Sequence, residues 1–183
     1  MTANPPPIAK ALRPLDEAPL QAFLSNEIQV ADIMEWVALQ IGPCEIWQSS
    51  FSVSEEFLRR LFFLRKKIHI RDIHLVLDFK ATNKTVSLWV FISQVIGDCH
   101  LADCHAKVLL FRADSGRVVS VVTSQNLTRG NRFESSVITT DHGVFNSLLS
   151  SLQNVIDRYS VPLSEIMSQA VNYELPSGNP PAD

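Results

Sequence analysis

The sequence predicts an α/β protein, specifically a three-layer α/β/α sandwich built on one mixed β-sheet. The chain has 183 residues, of which 46% are hydrophobic and 19% charged, a composition typical of a folded domain rather than a disordered chain. Segments with helical spacing of apolar residues alternate with short runs rich in Ile, Val and Leu. Such alternation favours a sheet with helices on both faces.

The first half of the chain supplies most of this alternation. Apolar residues recur at helical spacing between Val30 and Ile41, and Gly42-Pro43 ends that segment. Ser54 is a suitable N-cap for the next helix, with acids in its first turn. In order, we expect a helix over 30–41, a strand over 44–51, a helix over 54–67, a strand over 71–79 buried on both faces and a helix over 85–96.

The second half is richer in strands. Two β-rich runs, 106–112 and 117–123, flank the turn sequence Ala113-Asp114-Ser115-Gly116, which predicts a hairpin. A further strand over 133–140, a helix over 145–159 and a short helix over 164–171 complete the order. We therefore divide the chain into an irregular N-terminal arm (1–19), one domain (20–171) and a flexible C-terminal tail (172–183).

Charge and hydropathy exclude some classes of protein. The formal net charge of −3 and the pI of about 5.9 argue against a protein that coats nucleic acid by bulk charge, although a local basic cleft stays possible. The densest basic run, 59–67, is expected to be the solvated face of a helix. The sequence shows neither a signal peptide nor a membrane span, so we expect a cytoplasmic protein without membrane contact.

The three cysteines predict reduced thiols rather than a metal site. Cys99-His100 and Cys104-His105 could resemble zinc ligands, but a second knuckle with zinc spacing is missing. We expect buried reduced thiols, no metal and no cofactor. Most of the histidines and tryptophans are also expected to be structural: His69, His74, His100, His142, Trp36, Trp47 and Trp89.

One group of polar residues falls at the open end of the predicted hairpin. His105 and Lys107 are two residues apart at the start of a strand, so their side chains share a face. Ser124 and Asn126 follow the returning strand, and hairpin geometry brings them beside His105 and Lys107. Glu134 opens the next strand. A lysine charge, amide and hydroxyl donors, a nucleophilic imidazole and a carboxylate together suit a phosphate group.

These residues resemble the motifs of the phospholipase D superfamily. The family pattern is His-x-Lys, a downstream acid, Gly/Ser-Ser-x-Asn and a further glutamate, and the chain has His105-Ala-Lys107, Thr123-Ser124-Gln125-Asn126 and Glu134. Residues 45–52 and 74–78 resemble the first two strands of the family, so that the likeness covers roughly residues 30–160. Two positions depart from the pattern: Arg112 replaces the usual acid, and Thr123 replaces glycine or serine.

The resemblance implies a metal-independent phosphodiesterase, in particular a nuclease, because the usual acid is often missing in the nuclease-like branches. It implies that His105 attacks phosphorus, that Lys107, Asn126 and Ser124 bind phosphate oxygens, and that Glu134 orients His105. The chain carries a single His-x-Lys (HKD-type) motif, whereas sites of this family use two histidines. The resemblance therefore implies a homodimer with a shared site, acting on nucleic acid, DNA in preference to RNA.

Other functions stay open at this point. Some members of the fold are degenerate DNA-binding or scaffold modules, and Arg112 together with the acidic pI favours that interpretation. A phospholipase is a further alternative. Arg129 and Arg132, in the loop after Asn126, are either solvated or substrate-binding residues on the rim of the cleft. The sequence does not distinguish DNA, RNA and lipid as substrates.

Overall fold

A mixed β-sheet forms the centre of the protein in the computed structural model, which describes residues 6–68 and 70–174. Within those residues the sheet has eight strands: β1 (Leu20–Ser25), β2 (Cys44–Ser50), β3 (Ile70–Asp78), β4 (Asp98–Ala102), β5 (Val108–Ala113), β6 (Val118–Thr123), β7 (Glu134–Thr139) and β8 (Ser160–Pro162). Their order is β1-β7-β6-β5-β2-β3-β4-β8. The three central strands β2, β3 and β4 are parallel, and the other neighbours pair antiparallel.

Helices cover both faces of this sheet, which confirms the predicted three-layer α/β/α sandwich. The helices are α1 (Pro7–Ala11), α2 (Val30–Ile41), α3 (Glu55–Ile68), α4 (Thr82–Ser87), α5 (Trp89–Val95), α6 (His142–Tyr159) and α7 (Leu163–Glu174), with a 3-10 turn at Phe79–Ala81. The larger core lies between the sheet and residues of α1, α2, α3, α5 and α7. The smaller core lies under α6 alone. No helix among the described residues is long and apolar enough to span a bilayer.

The smaller core depends on the apolar stripe of α6. Phe145, Leu149 and Leu152 are buried against Trp47 and Leu110 of the sheet. The rings of Phe145 and Trp47 meet edge to face, with centroids 6.5 Å apart and planes at 75°, a geometry worth about 0.5–1.5 kcal/mol beyond the buried area. The predicted helical spacing of this segment is therefore confirmed, although the helix begins at His142, three residues earlier than expected.

The N-terminal segment differs from the sequence prediction. We expected the prolines near Pro7 to prevent a helix, but Pro7 is the first residue of α1, a position where the missing N–H costs nothing and φ is already helical. Ile8, Leu12 and Leu15 are buried in the larger core. The adjoining strand β1, which the sequence analysis also missed, pairs with β7 at the sheet edge.

Two further elements depart from the predictions. The helix expected over 85–96 is divided at Leu88 into α4 and α5. Side chains of Thr85 and Ser87 donate to backbone oxygens one turn earlier, and such bonds compete with regular helix geometry. The strand β4 was not predicted, since Asp98–Ala102 contains no β-branched residue. The tail predicted over 172–183 still belongs to α7 as far as Glu174, and residues 175–183 lie outside the described part.

The predicted hairpin is confirmed as β5 and β6, and it positions the polar residues at one end of the sheet. Its turn holds Gly116 at φ 85°, a backbone conformation that glycine adopts without strain. Asp114 in the same turn pairs with Arg71 at 2.5 Å. At the open end, the Thr123 N–H donates to the Lys107 carbonyl over 3.1 Å. The end of β2 lies beside the start of β5, because Ser49 pairs with Val108.

Candidate active site

His105 and Lys107 meet just before β5 begins. The strand starts at Val108, so the two residues lie in the irregular segment that precedes it rather than in the strand itself. The Lys107 ammonium donates to the His105 carbonyl at 3.0 Å and lies 3.4 Å from His105 Nδ1. The Phe51 ring is 5.5 Å from the imidazole, centroid to centroid, at 59°. The imidazole is exposed and Lys107 is half-buried, so an incoming group can reach the histidine.

Ser50, at the end of β2, brings the predicted amide to the same place. Its hydroxyl is fully buried, accepts from the Leu127 N–H at 3.0 Å and donates to the Ser52 carbonyl at 2.9 Å. The same oxygen is 3.5 Å from Asn126 Oδ1. With its oxygen turned toward Ser50, Asn126 keeps its NH₂ group available for a ligand.

The loop after β6 is fixed by buried contacts on either side of Asn126. Gln125 is buried and donates to the Ile28 carbonyl at 3.0 Å. Leu127 is buried in the larger core, and its carbonyl accepts from the Ser54 N–H at 2.9 Å. Thr123, which departs from the family pattern, uses its hydroxyl to donate to the Ser135 carbonyl at 3.0 Å. The substituted threonine is thus accommodated by the neighbouring strand.

Ser124 and Glu134 interact with each other. The Ser124 hydroxyl donates to the Glu134 carboxylate and accepts from the Ser135 N–H at 3.1 Å. A serine has one O–H to donate, so in this arrangement it does not also serve a phosphate oxygen. Across the described residues, the carboxylate of Glu134 bonds to Ser124 and not to His105. The predicted roles of both residues therefore stay predictions, and a single subunit does not display them.

The two arginines of the loop have different surroundings. Arg129 pairs with Glu56 at 3.0 Å, and both side chains are largely exposed, so the pair contributes little to stability. Arg132 is exposed. Both arginines, with Asn126 and Glu134, line a cavity of about 50 Å³. Whether the two arginines bind substrate or are simply solvated stays a prediction.

The contact between Lys107 and His105 has a chemical consequence. Attack by Nε2 needs its lone pair, which places the neutral ring's proton on Nδ1. An N–H at Nδ1 cannot bond to an ammonium group, because both are donors. The 3.4 Å contact therefore suits the other tautomer, in which the Nδ1 lone pair faces the ammonium group and the ring proton is on Nε2.

Arg112 lies away from the site, on the other face of β5. Leu109 and Phe111 belong to the larger core and Leu110 to the smaller one, so Arg112, two residues after Leu110, points toward the α6 side. There it pairs with Glu45 at 2.8 Å, and its guanidinium lies 4.6 Å from the Trp47 ring centroid. Arg112 thus contacts Glu45 and Trp47 rather than His105.

Arg112 belongs to a polar network that the sequence analysis did not predict. His74 is bonded to Glu45 at 3.0 Å and to Asp98 at 3.3 Å, and His100 is bonded to Asp98 at 2.9 Å. Burial favours the protonated form of Glu45, but hydrogen bonds from Arg112 and His74 outweigh it and hold the pKa of that carboxyl below its ordinary value. The residues come from four strands, so only the sheet order could have revealed them.

The remaining predicted structural residues can be placed as follows. Trp47 is buried, and Trp36 and Trp89 pack half-buried against the larger core. His142 is exposed at the start of α6, and His69 lies outside the described residues. Among the described histidines that were predicted to be structural, His74, His100 and His142, none lies beside Lys107.

The described cysteines do not form a metal site. Burial raises the pKa of Cys44 to about 11 and that of Cys99 to about 12, with smaller contributions from neighbouring charges. Cys104 is half-buried. All three are free thiols, as predicted. Within residues 6–68 and 70–174 no cluster of three or more His, Cys, Asp and Glu side chains could hold a metal ion.

Comparisons with known proteins rest on structure alone. No protein-family model matches the chain, and no curated protein matches its sequence. The fold is similar to TrmBL2, an archaeal chromatin protein with a novel mode of DNA binding, at 9% identity and a TM-score of 0.52 over 83% of this chain and 58% of that one. It is similar to phosphatidylserine synthase of Haemophilus influenzae Rd KW20, at 9% identity and a TM-score of 0.54 over 85% of this chain and 46% of that one.

A third match covers nearly the whole of the other protein. NucT from Helicobacter pylori is similar at 12% identity and a TM-score of 0.51, over 76% of this chain and 98% of that one. The chain thus spans about half the length of the first two proteins and matches NucT almost end to end. All three are members of the phospholipase D superfamily. With its mixed eight-stranded sheet between helices and this set of structural matches, the chain has the phospholipase D fold.

Proposed function

We propose that the protein is a metal-independent phosphodiesterase that cleaves nucleic acid, DNA in preference to RNA, through a phosphohistidine formed on His105. The observation that supports the proposal is the contact between Lys107 and His105, at the end of the sheet where the loop bearing Asn126 begins. Lys107 bonds to the His105 carbonyl, and Ser50, at the end of β2, accepts from the Leu127 N–H of the loop that carries Asn126. An exposed imidazole next to a cation and an amide suits attack on a phosphodiester.

The first chemical step forms one bond and breaks another. His105 Nε2 attacks phosphorus, and the bond from phosphorus to the leaving oxygen breaks. Lys107 and Asn126 stabilise the charge on the non-bridging oxygens. The leaving oxygen needs a proton, and general acid catalysis of this kind contributes about 10²–10⁴-fold.

A homodimer supplies that proton. None of the other histidines has a lysine two residues later in the sequence, and the described ones lie away from Lys107. We assign the acid to the partner subunit's His105, which also takes a proton from water in the second step. Water then attacks phosphorus, the nitrogen–phosphorus bond breaks and both imidazoles return to their starting states. In this proposal Glu134 orients the imidazole and Ser124 donates to a phosphate oxygen in the site of the assembled dimer.

The test measures cleavage of labelled single-stranded DNA, duplex DNA, RNA and a chromogenic phosphodiester, all in EDTA. The wild-type protein is compared with His105→Ala and with a matched control, His142→Ala, an exposed histidine at the start of α6. We expect at least one substrate to be cleaved, a loss of about 10³-fold or more in His105→Ala, and full activity in His142→Ala. Equal activity of the three proteins would refute the proposal.

A second candidate is a DNA-binding or scaffold module without catalysis. The favouring observation is the commitment of Ser124 to Glu134, with no carboxylate bonded to His105 among the described residues. This candidate predicts nucleic-acid binding without turnover, equal in wild type and His105→Ala. The same cleavage assay, run beside a binding assay, therefore separates the two functions.

A further inference from the structure

An exposed aromatic surface lies where α3 meets α5. Phe63 is 68% exposed, and its ring packs edge to face on Phe62 with centroids 5.6 Å apart. Phe62 and Phe91 are half-buried. With Arg59 and Gln94 these three rings line an open groove of about 350 Å³. An apolar surface rimmed by polar groups is typical of a binding site.

Two cations lie over these rings. The Lys66 ammonium is 4.3 Å from the Phe62 ring centroid, and the Arg59 guanidinium carbon is 5.8 Å from the Phe91 centroid. Both distances fall within the range of cation–π attraction. Arg59 also pairs with Glu55 one turn earlier, at 2.5 Å. We call Arg59, Phe62, Phe63, Lys66 and Phe91 the aromatic–cationic patch.

The other cations of the basic run in α3 are engaged by hydrogen-bonding or ion-pair partners. Arg60 pairs with Asp32 at 2.5 Å and Lys67 with Glu35 at 2.7 Å. Arg65 donates to three backbone carbonyls, the shortest bonds being 2.6 Å. The positive charge that stays next to apolar surface is therefore that of the aromatic–cationic patch.

The patch is connected to the candidate active site by α3. The helix begins at Glu55, directly after Ser54, whose N–H donates to the Leu127 carbonyl beside Asn126. At 1.5 Å per residue, Phe62 lies about 10 Å along the helix from that end. A chain of a few nucleotides can cover such a distance, because single-strand sites span about 4–16 nucleotides.

We propose that the aromatic–cationic patch is a stacking platform for single-stranded nucleic acid, an inference that rests on the proposed function and deepens it by naming its form of substrate. Bases stack on Phe63 and Phe91, and backbone phosphates lie near Lys66 and Arg59. Exposed rings alternating with cations are the combination that binds single strands without sequence preference. The overall charge of −3 makes this binding local rather than a property of the whole surface.

Binding is measured in the His105→Ala background, so that no cleavage intervenes. The probe is a fluorescein-labelled 12-nucleotide DNA strand, with an otherwise identical strand that carries abasic sites. Phe63→Ala is compared with Tyr159→Ala, whose side chain is 65% exposed on the opposite layer. We expect Phe63→Ala to weaken binding of the normal strand about tenfold or more and to leave binding of the abasic strand unchanged. Tyr159→Ala should bind both strands as the parent does.

Two further measurements support or overturn the inference. Lys66→Ala should lower the slope of log affinity against log salt by about one. Equal binding of the DNA strand by Phe63→Ala and Tyr159→Ala would overturn the platform. Binding of anionic lipid vesicles through the patch, in place of the strand, would also overturn it. So would a change in oligomeric state when Phe63 is replaced. If the strand binds through the patch but wild type cleaves no substrate, the proposed function fails while the platform stands. If Phe63→Ala neither weakens binding nor slows cleavage by an active wild type, the platform fails while the proposed function stands.

Discussion

Ser50→Ala is the substitution that tests how the site is built. The Ser50 hydroxyl is fully buried, accepts from the Leu127 N–H and donates to the Ser52 carbonyl. Its removal leaves a buried N–H unsatisfied, at about 1–3 kcal/mol, and removes a second bond worth about 1 kcal/mol. We expect the free energy of unfolding to fall by about 2–4 kcal/mol and Tm by roughly 5–15 °C. Urea denaturation with an unchanged m-value measures this loss.

Ser49→Ala is the matched control on the same strand. Ser49 is 1% exposed, and its hydroxyl has no hydrogen-bond partner among the described residues. Removing it should change stability by less than about 0.5 kcal/mol or stabilise the protein slightly. Ser50→Ala should also lose cleavage rate, because Asn126 is no longer held, whereas Ser49→Ala should not. Equal effects of the two substitutions would refute the reasoning that hydrogen bonds of Ser50 position the loop.

Three other predictions concern charge, thiols and metals. The lowered pKa of Glu45 means that its contribution to stability is present above its ordinary value of 4.5 and is lost as pH falls through the lower, folded-state value. The difference in urea midpoint between wild type and Glu45→Gln should therefore shrink in acid, and a constant difference would contradict this. The raised pKa values of Cys44 and Cys99 predict that a thiol reagent titrates Cys104 first in the native protein; equal rates for all three thiols would contradict it. Cleavage should persist in EDTA, since a lysine beside the nucleophile disfavours a divalent cation; loss restored by a divalent ion would overturn the mechanism.

Local patterns were sufficient to predict much of the fold. The turn at Gly116 specifies the hairpin, and the apolar stripe of α6 specifies that helix and the face it buries. At the open end of the hairpin the Thr123 N–H bonds to the Lys107 carbonyl, while the placement of Ser124 and Asn126 beside His105 and Lys107 stays a prediction. These features depend on residues close together in the sequence or on a single turn, and so a pattern can encode them.

Other features depend on contacts between distant parts of the chain. The edge strand β1 is defined by pairing of Leu20 with Thr139. Its own polar–apolar alternation is weak because its exposed face carries Leu20 and Leu24. Gln125 is fixed by the Ile28 carbonyl, a partner that no local motif specifies. Glu134 bonds to Ser124 rather than to His105 among the described residues, and which neighbour its carboxylate contacts depends on side-chain geometry at the start of β7. Such details follow from the packed structure rather than from spacing.

Subunit mixing tests the shared site most directly. Wild type and inactive His105→Ala are mixed in equal amounts, dissociated and reassembled, and cleavage is compared with wild type at the same total concentration. A site that needs His105 from both subunits is complete only in wild-type pairs, so random pairing predicts roughly one quarter of the activity. Light scattering at the same concentration checks that both proteins form dimers. An activity of roughly one half, as expected for independent sites, would contradict the account.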